Sequence, residues 1–290
     1  MTQQSGTSLL LPAQIQPQVQ AIAYAERGQR SVDGWLSRLD GTIIATLGGC
    51  QSADGVTGSV GEIGVHHGRL FILLGLMLQA GERAFAIDLF EDQEANIDAS
   101  GFGDKAAFLR NLQRFGVDQG RVDILTGNSM EVTWSAIQDR VGMPARLFSV
   151  DGGHTAEITE NDLLIAEAGL ADGGVIILDD YFNPEFPAVS EGTCRFMTRC
   201  AGRISPVVLG DNKLVLARPD RAAAYRDRLL RHIPRRYLVR ESTIMFGQPI
   251  LILRTPGTMM QRLRQTDLVR SLRNHPLGLA LKPVVRRILG

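Results

Sequence analysis

Between residues 58 and 180, short apolar runs alternate with longer amphipathic stretches. GSVGEIGV (58–65), AFAIDLF (84–90), RVDILTG (121–127), ARLFSVDG (145–152) and GGVIILDD (173–180) read as strands. Between them, HGRLFILLGLMLQAG, DKAAFLRNLQRFG, MEVTWSAIQDRV and TAEITENDLLIAEAGL repeat apolar residues at helical spacing. Alternation of this kind specifies a parallel sheet with helices on both faces. A helix is expected over 187–200. ISPVVLGDNKLVLARP follows, two apolar runs about the turn pair Asp211 and Asn212, which reads as a hairpin. The expected fold is α/β: a doubly wound, mostly parallel seven-stranded sheet ending in an antiparallel hairpin, whereas a dinucleotide-binding sheet keeps its last strand parallel.

The flanks are patterned differently. Residues 1–30 are Gln-rich and weakly periodic, and SVDGWLSRLDGTIIATL sets Trp35, Leu36, Leu39, Ile43 and Ile44 on the apolar face of one or two helices. This predicts a helical lid or brace over 1–57, a catalytic domain over 58–218 and an extension over 219–290. The extension contains a basic helix candidate, RAAAYRDRLLRHI, the strand-like STIMF and QPILILR, and a tail carrying Arg262, Arg264, Arg270, Arg273, Arg286 and Arg287.

Composition narrows the function classes. Lys plus Arg equals Asp plus Glu at 31 each, so no net field draws the chain to nucleic acid or an anionic membrane. No apolar run is long enough to span a bilayer. Cys50, Cys194 and Cys200 offer neither a zinc spacing nor an even disulfide framework, and the N-terminal stretch lacks a basic region ahead of an apolar one. A cytoplasmic location is expected.

In an open parallel sheet, ligands bind beyond the carboxyl ends of the strands. After the first strand comes GEIGVHHG, where Gly61, Gly64 and Gly68 flank Glu62. This is not a pyrophosphate cradle. An acid there repels phosphate and suits a cation, a sulfonium or an amino acid. The second strand ends at Asp88, about twenty residues on, placed to accept hydrogen bonds from ribose hydroxyls. The third ends LTGNSM, so Asn128 and Ser129 are expected to line an adenine pocket, with Ser129 alternatively the N-cap of a helix starting at residue 130 or 131. Together these ends describe adenosine with a positively charged tail, which fits S-adenosylmethionine better than NAD. His66 and His67 are pocket wall or the start of a helix.

The fourth strand ends FSVDGGH and the fifth ILDDY. Adjacent in a doubly wound sheet, they bring Asp151 near Asp179 and Asp180, with His154 between. Three carboxylates in one pocket demand either a retained proton or a hard divalent cation such as magnesium, and the cation relieves all three at once. Asn183, and after it Tyr181, are spare oxygen ligands or substrate contacts. Coordination lowers the pKa of an acceptor hydroxyl, and His154 then takes its proton.

EIGVHHG, AIDLF, and above all VDGGH followed by VIILDDYFNP resemble the class I methyltransferase family that includes the macrocin and mycinamicin sugar O-methyltransferases. The resemblance covers residues 58–218. It implies S-adenosylmethionine and magnesium as cofactors, Asp151, Asp179 and Asp180 as metal ligands, His154 as general base, and Glu62, Gly64 and Asp88 as cofactor contacts. The first acid of the pair is often Glu in those relatives and is Asp179 here. The acceptor implied is a small molecule with adjacent oxygens, a saccharide or glycosylated metabolite, and relatives of this type often self-associate. Two readings from other classes are a hydroxylase-like or NAD-dependent oxidoreductase on the same sheet, and a binding module tethered by the Arg-rich tail.

Overall fold

The apolar runs become strands because both of their faces are covered. β1 (Ser59–Ile63), β2 (Ala84–Asp88), β3 (Val122–Thr126), β4 (Ala145–Val150) and β5 (Leu170–Leu178) lie parallel in the computed structural model, which describes residues 16–257 except 93, 95, 98 and 99. Alternate residues sort to opposite sides, as strand geometry requires. Val60, Ala84, Ala86, Leu147, Val175 and Ile177 pack with the helices α1 (Gln16–Glu26), α2 (Arg38–Ala53), α3 (Arg69–Leu76) and α4 (Lys105–Arg114). Phe85, Ile87, Phe148, Ile176 and Leu178 face α5 (Trp134–Val141), α6 (Ala156–Ala168) and α7 (Pro187–Arg199).

Beyond β5 the direction changes. β6 (Ser205–Leu209) and β7 (Leu214–Ala217) form the expected hairpin, and β7 runs antiparallel to β5. The sheet does not stop at seven strands. After α8 (Pro219–His232), β8 (Leu238–Met245) and β9 (Gln248–Leu253) join it, giving nine strands in the order β3-β2-β1-β4-β5-β7-β6-β9-β8. β9 pairs in parallel with β6 through Val208↔Leu251 and Leu209↔Ile252, burying Ile250, Leu251 and Leu253. The physical reason is an edge: without β9, apolar β6 would expose a row of unpaired backbone groups.

Local signals set the helix ends. Ser37 caps α2 by accepting from the Asp40 N–H, and Asp104, Thr133 and Thr155 do the same for α4, α5 and α6. The helix expected from residue 130 starts later, at Trp134, after a 3₁₀ turn over Ser129–Glu131. No helix among the described residues is long and apolar enough to cross a membrane. The Arg-rich tail and the first fifteen residues of the expected N-terminal brace lie outside the described residues.

At the amino ends of the strands, Arg146 is wholly buried and bonded bidentately to Glu82, at 2.9 Å to each oxygen. Its remaining donors reach Met77 O and Gln51 Oε1, while Gln51 Nε2 donates to the backbone of Arg146 and Gly173. α2 is thereby stitched to β4 and β5. Glu82→Ala leaves this guanidinium buried without its counter-charge and is expected to cost about 3 to 5 kcal/mol in urea unfolding.

Candidate active site

The order of strands reverses between β1 and β4, so the crevice of an open sheet is expected at their carboxyl ends. A cleft of about 370 Å³ lies there, lined by Gly64, Asp88, Asn128 and Ser129 on one side and by Asp151, His154, Asp179 and Asp180 on the other. Its volume is within the range of small-molecule sites. Trp35, from the loop before α2, and Ile97 contribute to the lining and are largely exposed.

Gly64 is required by the backbone. Its φ is +82°, and a Cβ there would lie 1.7 Å from the carbonyl oxygen of Asp151, so the tips of β1 and β4 meet only because no side chain intervenes. Gly68 does not line the cleft; it precedes α3 at φ +87° with its Cα side against Phe108. Glu62 lies off the wall too, buried below it. It accepts from Ser149 Oγ at 3.0 Å, its Oε2 has no partner among the described residues, and burial, opposed by Lys213, pushes its pKa to about 8. Asp88 does face the cleft, and its oxygens also hold the backbone N–H groups of His66 (2.7 Å) and Phe90 (2.6 Å). Asn128 caps the 3₁₀ turn through Met130 N, and Ser129 is bonded to the buried Asp162.

Neighbouring β4 and β5 bring the acidic residues together as expected. His154 Nε2 lies 3.1 Å from Asp180 Oδ2, Nδ1 lies 3.0 Å from Ser100 Oγ, and the ring stacks on Phe186 at 3.7 Å. Asp180 takes the left-handed conformation, φ +57°, which Asp tolerates better than most residues. Burial alone would raise its pKa, but hydrogen bonds from His154, Asn212 and Asn183 carry it down to about 2. Asp151 is raised well above the usual carboxylate range by burial and by the charge of Asp179, against the pull of Lys213.

Asp179 has a different partner from the one expected. The buried Lys213 ammonium lies 2.6 Å from its Oδ2 and 3.9 Å from Asp151 Oδ2. Burial disfavours the charge of Lys213, yet Asp179 and Asp151 override it and raise its pKa. The other oxygen of Asp179 accepts from Asp180 N (3.0 Å) and Asn212 Nδ2 (2.7 Å), and the same amide reaches Asp180 Oδ1 at 2.6 Å. Of the expected magnesium set of Asp151, Asp179 and Asp180, Asp179 is thus engaged by Lys213. Donor atoms within 4.8 Å of one another come from Asp151, His154 and Asp180. That set would use up the imidazole and put an ion beside an ammonium, a poor match for a hard cation that prefers oxygen.

Lys213 and Asn212 were missed as site residues. The signal was a lysine opening an otherwise apolar strand, KLVLA, directly after the turn pair. Trp35, expected on the buried apolar face of a helix, instead lies in the loop ahead of α2 and is 69% exposed at the cleft, because the helix begins only after the Ser37 cap; Ser100 and Phe186 sit in segments with no strand or helix pattern that would have placed them.

Beside the cleft, Asp162 on α6 is fully buried, and burial, opposed by bonds from Ser129 and Asn161, raises its pKa to about 7. An acid raised in this way stabilises the fold below its unfolded pKa and loses that contribution as pH rises through 7. Asp162→Asn should gain on the wild type by on the order of 3 kcal/mol between pH 4 and pH 8, read from denaturant unfolding at the two pH values.

Residues 62–181 match the family model described as a methyltransferase domain. No curated protein matches the chain in sequence. Among solved structures, the chain is similar to the O-methyltransferase NovP, at 17% identity and a TM-score of 0.51 over 61% of this chain and 78% of that one. It is similar to the O-methyltransferase TomG from Streptomyces achromogenes, involved in tomaymycin synthesis, at 19% identity and a TM-score of 0.48 over 73% and 92%. It is also similar to CalS11, a TDP-rhamnose 3'-O-methyltransferase of calicheamicin biosynthesis, at 15% identity and a TM-score of 0.44 over 60% and 75%. At these identities the likeness is one of fold: the chain has the class I methyltransferase fold and carries a methyltransferase domain over residues 62–181.

Proposed function

We infer that the chain transfers the methyl group of S-adenosylmethionine to a hydroxyl oxygen of a small-molecule acceptor, with a saccharide as the acceptor class. The observation that carries this reading is the line from Asp180 through His154 to Ser100, opening on the same cleft as Gly64 and Asp88. A neutral amine attacks a methyl sulfonium unaided, whereas a hydroxyl must shed a proton as it attacks, so a base in the cleft supports an oxygen acceptor. The saccharide comes from the sequence resemblance, and a cleft whose lining sets Asp88, Asn96 and Asn128 beside apolar Trp35, Ile87 and Ile97 suits a ring with one apolar face.

In this reading, adenosine lies over the tips of β1 to β3, and Asp88 offers its remaining lone pairs to the ribose. Asp180, held ionised, accepts the Nε2–H of His154, which leaves the Nδ1 lone pair for the acceptor. The hydroxyl of Ser100 marks where an O–H meets that nitrogen. As the oxygen bonds to the methyl carbon, the carbon–sulfur bond breaks, the proton passes to Nδ1, and the imidazolium is stabilised by Asp180. The products are a methyl ether and S-adenosylhomocysteine. Holding oxygen, carbon and sulfur in line supplies roughly 7 to 11 kcal/mol of the barrier lowering. Magnesium, implied by the sequence resemblance, has no step in this reading, because the donor set does not fit it.

Calorimetry should show S-adenosylhomocysteine binding, and a panel of saccharide acceptors should release S-adenosylhomocysteine with a methyl ether detected by mass spectrometry. His154→Ala should lower kcat by about 10² to 10⁴-fold while cofactor affinity is kept. Equal turnover by the variant and the wild type would remove the imidazole from the reaction.

A further inference from the structure

We propose that Lys213 is this chain's built-in substitute for a divalent ion: its ammonium supplies the counter-charge for the acidic tips of β4 and β5, so that the methyl-transfer site works without a metal. The inference rests on the reading of the cleft as a methyl-transfer site and concerns the machinery inside it.

Three observations carry it. Lys213 Nζ sits 2.6 Å from Asp179 Oδ2 and 3.9 Å from Asp151 Oδ2, with the side chain only 3% exposed. Asn212, its chain neighbour, donates one amide to both Asp179 (2.7 Å) and Asp180 (2.6 Å), so the acidic pair is bridged from the same turn. The turn is itself gripped from outside the crossover core. Asp40, in the first turn of α2, accepts from the backbone N–H of Asp211 at 3.0 Å and of Asn212 at 3.1 Å. Gly210 is the residue that allows this, since a Cβ there would lie 1.9 Å from Asp40 Oδ1. A buried carboxylate of an N-terminal helix thus holds two residues of a distant hairpin against the strand tips.

A metal in such a site would do two things: neutralise the carboxylates and acidify the acceptor hydroxyl. Lys213 performs the first, and the His154–Asp180 pair performs the second. An ion bound to Asp151 would also sit beside a fixed positive charge and be repelled by it. Chelation by the acceptor is then unnecessary. The site accepts a lone hydroxyl, and adjacent oxygens are not a requirement.

The test is a Mn²⁺ titration followed by electron paramagnetic resonance, on the full chain and on Lys213→Gln and Lys213→Arg, with turnover measured in EDTA and in added Mg²⁺. The wild type and Lys213→Arg should show no tight Mn²⁺ site, and wild-type turnover should be the same in both conditions. Lys213→Gln should acquire a single site roughly 100-fold tighter than any in the wild type, and its turnover should now respond to Mg²⁺. A tight equivalent of Mn²⁺ on the wild type, or wild-type turnover lost in EDTA and restored by Mg²⁺, overturns the proposal. So does a folded Lys213→Gln, judged by S-adenosylhomocysteine binding, that takes up no Mn²⁺. If Lys213→Gln does not fold, the wild-type titration and its EDTA arm decide alone. Failure to methylate any hydroxyl would sink the functional reading and leave the Mn²⁺ result standing.

Discussion

Packing three carboxylates at the tips of two adjacent buried strands is the constraint around which the rest of this protein is arranged. Asp151, Asp179 and Asp180 would repel one another and lose their hydration, and each penalty alone exceeds what a single hydrogen bond returns. The fold answers with donors from three directions: the ammonium of Lys213, the amide of Asn212 and the imidazole of His154. Two of these come from the β6–β7 turn, which brings the hairpin to the candidate site as well as into the interior of the sheet. The turn depends in turn on Asp40, so α2 has a direct mechanical link to the chemistry.

The strand tips also carry most of the unusual backbone. His66, Phe90 and Asp180 have φ of +51°, +49° and +57°, and they follow β1, β2 and β5 respectively. Non-glycine residues in this region cost of order 1 kcal/mol or more each and are kept where the surroundings over-determine them. Here the surroundings can be named: Asp88 binds the N–H of both His66 and Phe90, and Asp179 binds the N–H of Asp180. The same carboxylates therefore shape the turns and furnish the cleft. A site built in this way is pre-formed, which lowers the ordering cost when a ligand arrives.

At the other end of the strands, the Arg146–Glu82–Gln51 network uses ion pairing for a different purpose. It is fully buried, it stands apart from the cleft lined by Asp88 and Asp180, and it clamps α2 to the sheet. α2 is thus held at both ends: near its carboxyl end by Gln51, and at its first turn by the pairing of Asp40 with the hairpin. The nine-stranded sheet extends this arrangement sideways, since β9 covers β6 and leaves the strand that precedes Asn212 and Lys213 in the interior of the sheet.

Much of this was legible in the sequence. Continuous apolar runs alternating with amphipathic stretches determine a parallel sheet, because only burial on both faces makes such runs stable. Once the strands are ordered, the proximity of Asp151, His154 and Asp180 follows from adjacency alone. What the sequence could not reveal was which charge would face the acids. Asp40 and Asp211 are 171 residues apart, and Asn212 is 33 residues from Asp179. No local pattern connects them, since hydrophobic periodicity reports which face of an element is buried and says nothing about which element lies beside it. The order β5-β7-β6-β9, a property of three-dimensional pairing, places the Lys213 ammonium against Asp179, one of the expected metal ligands.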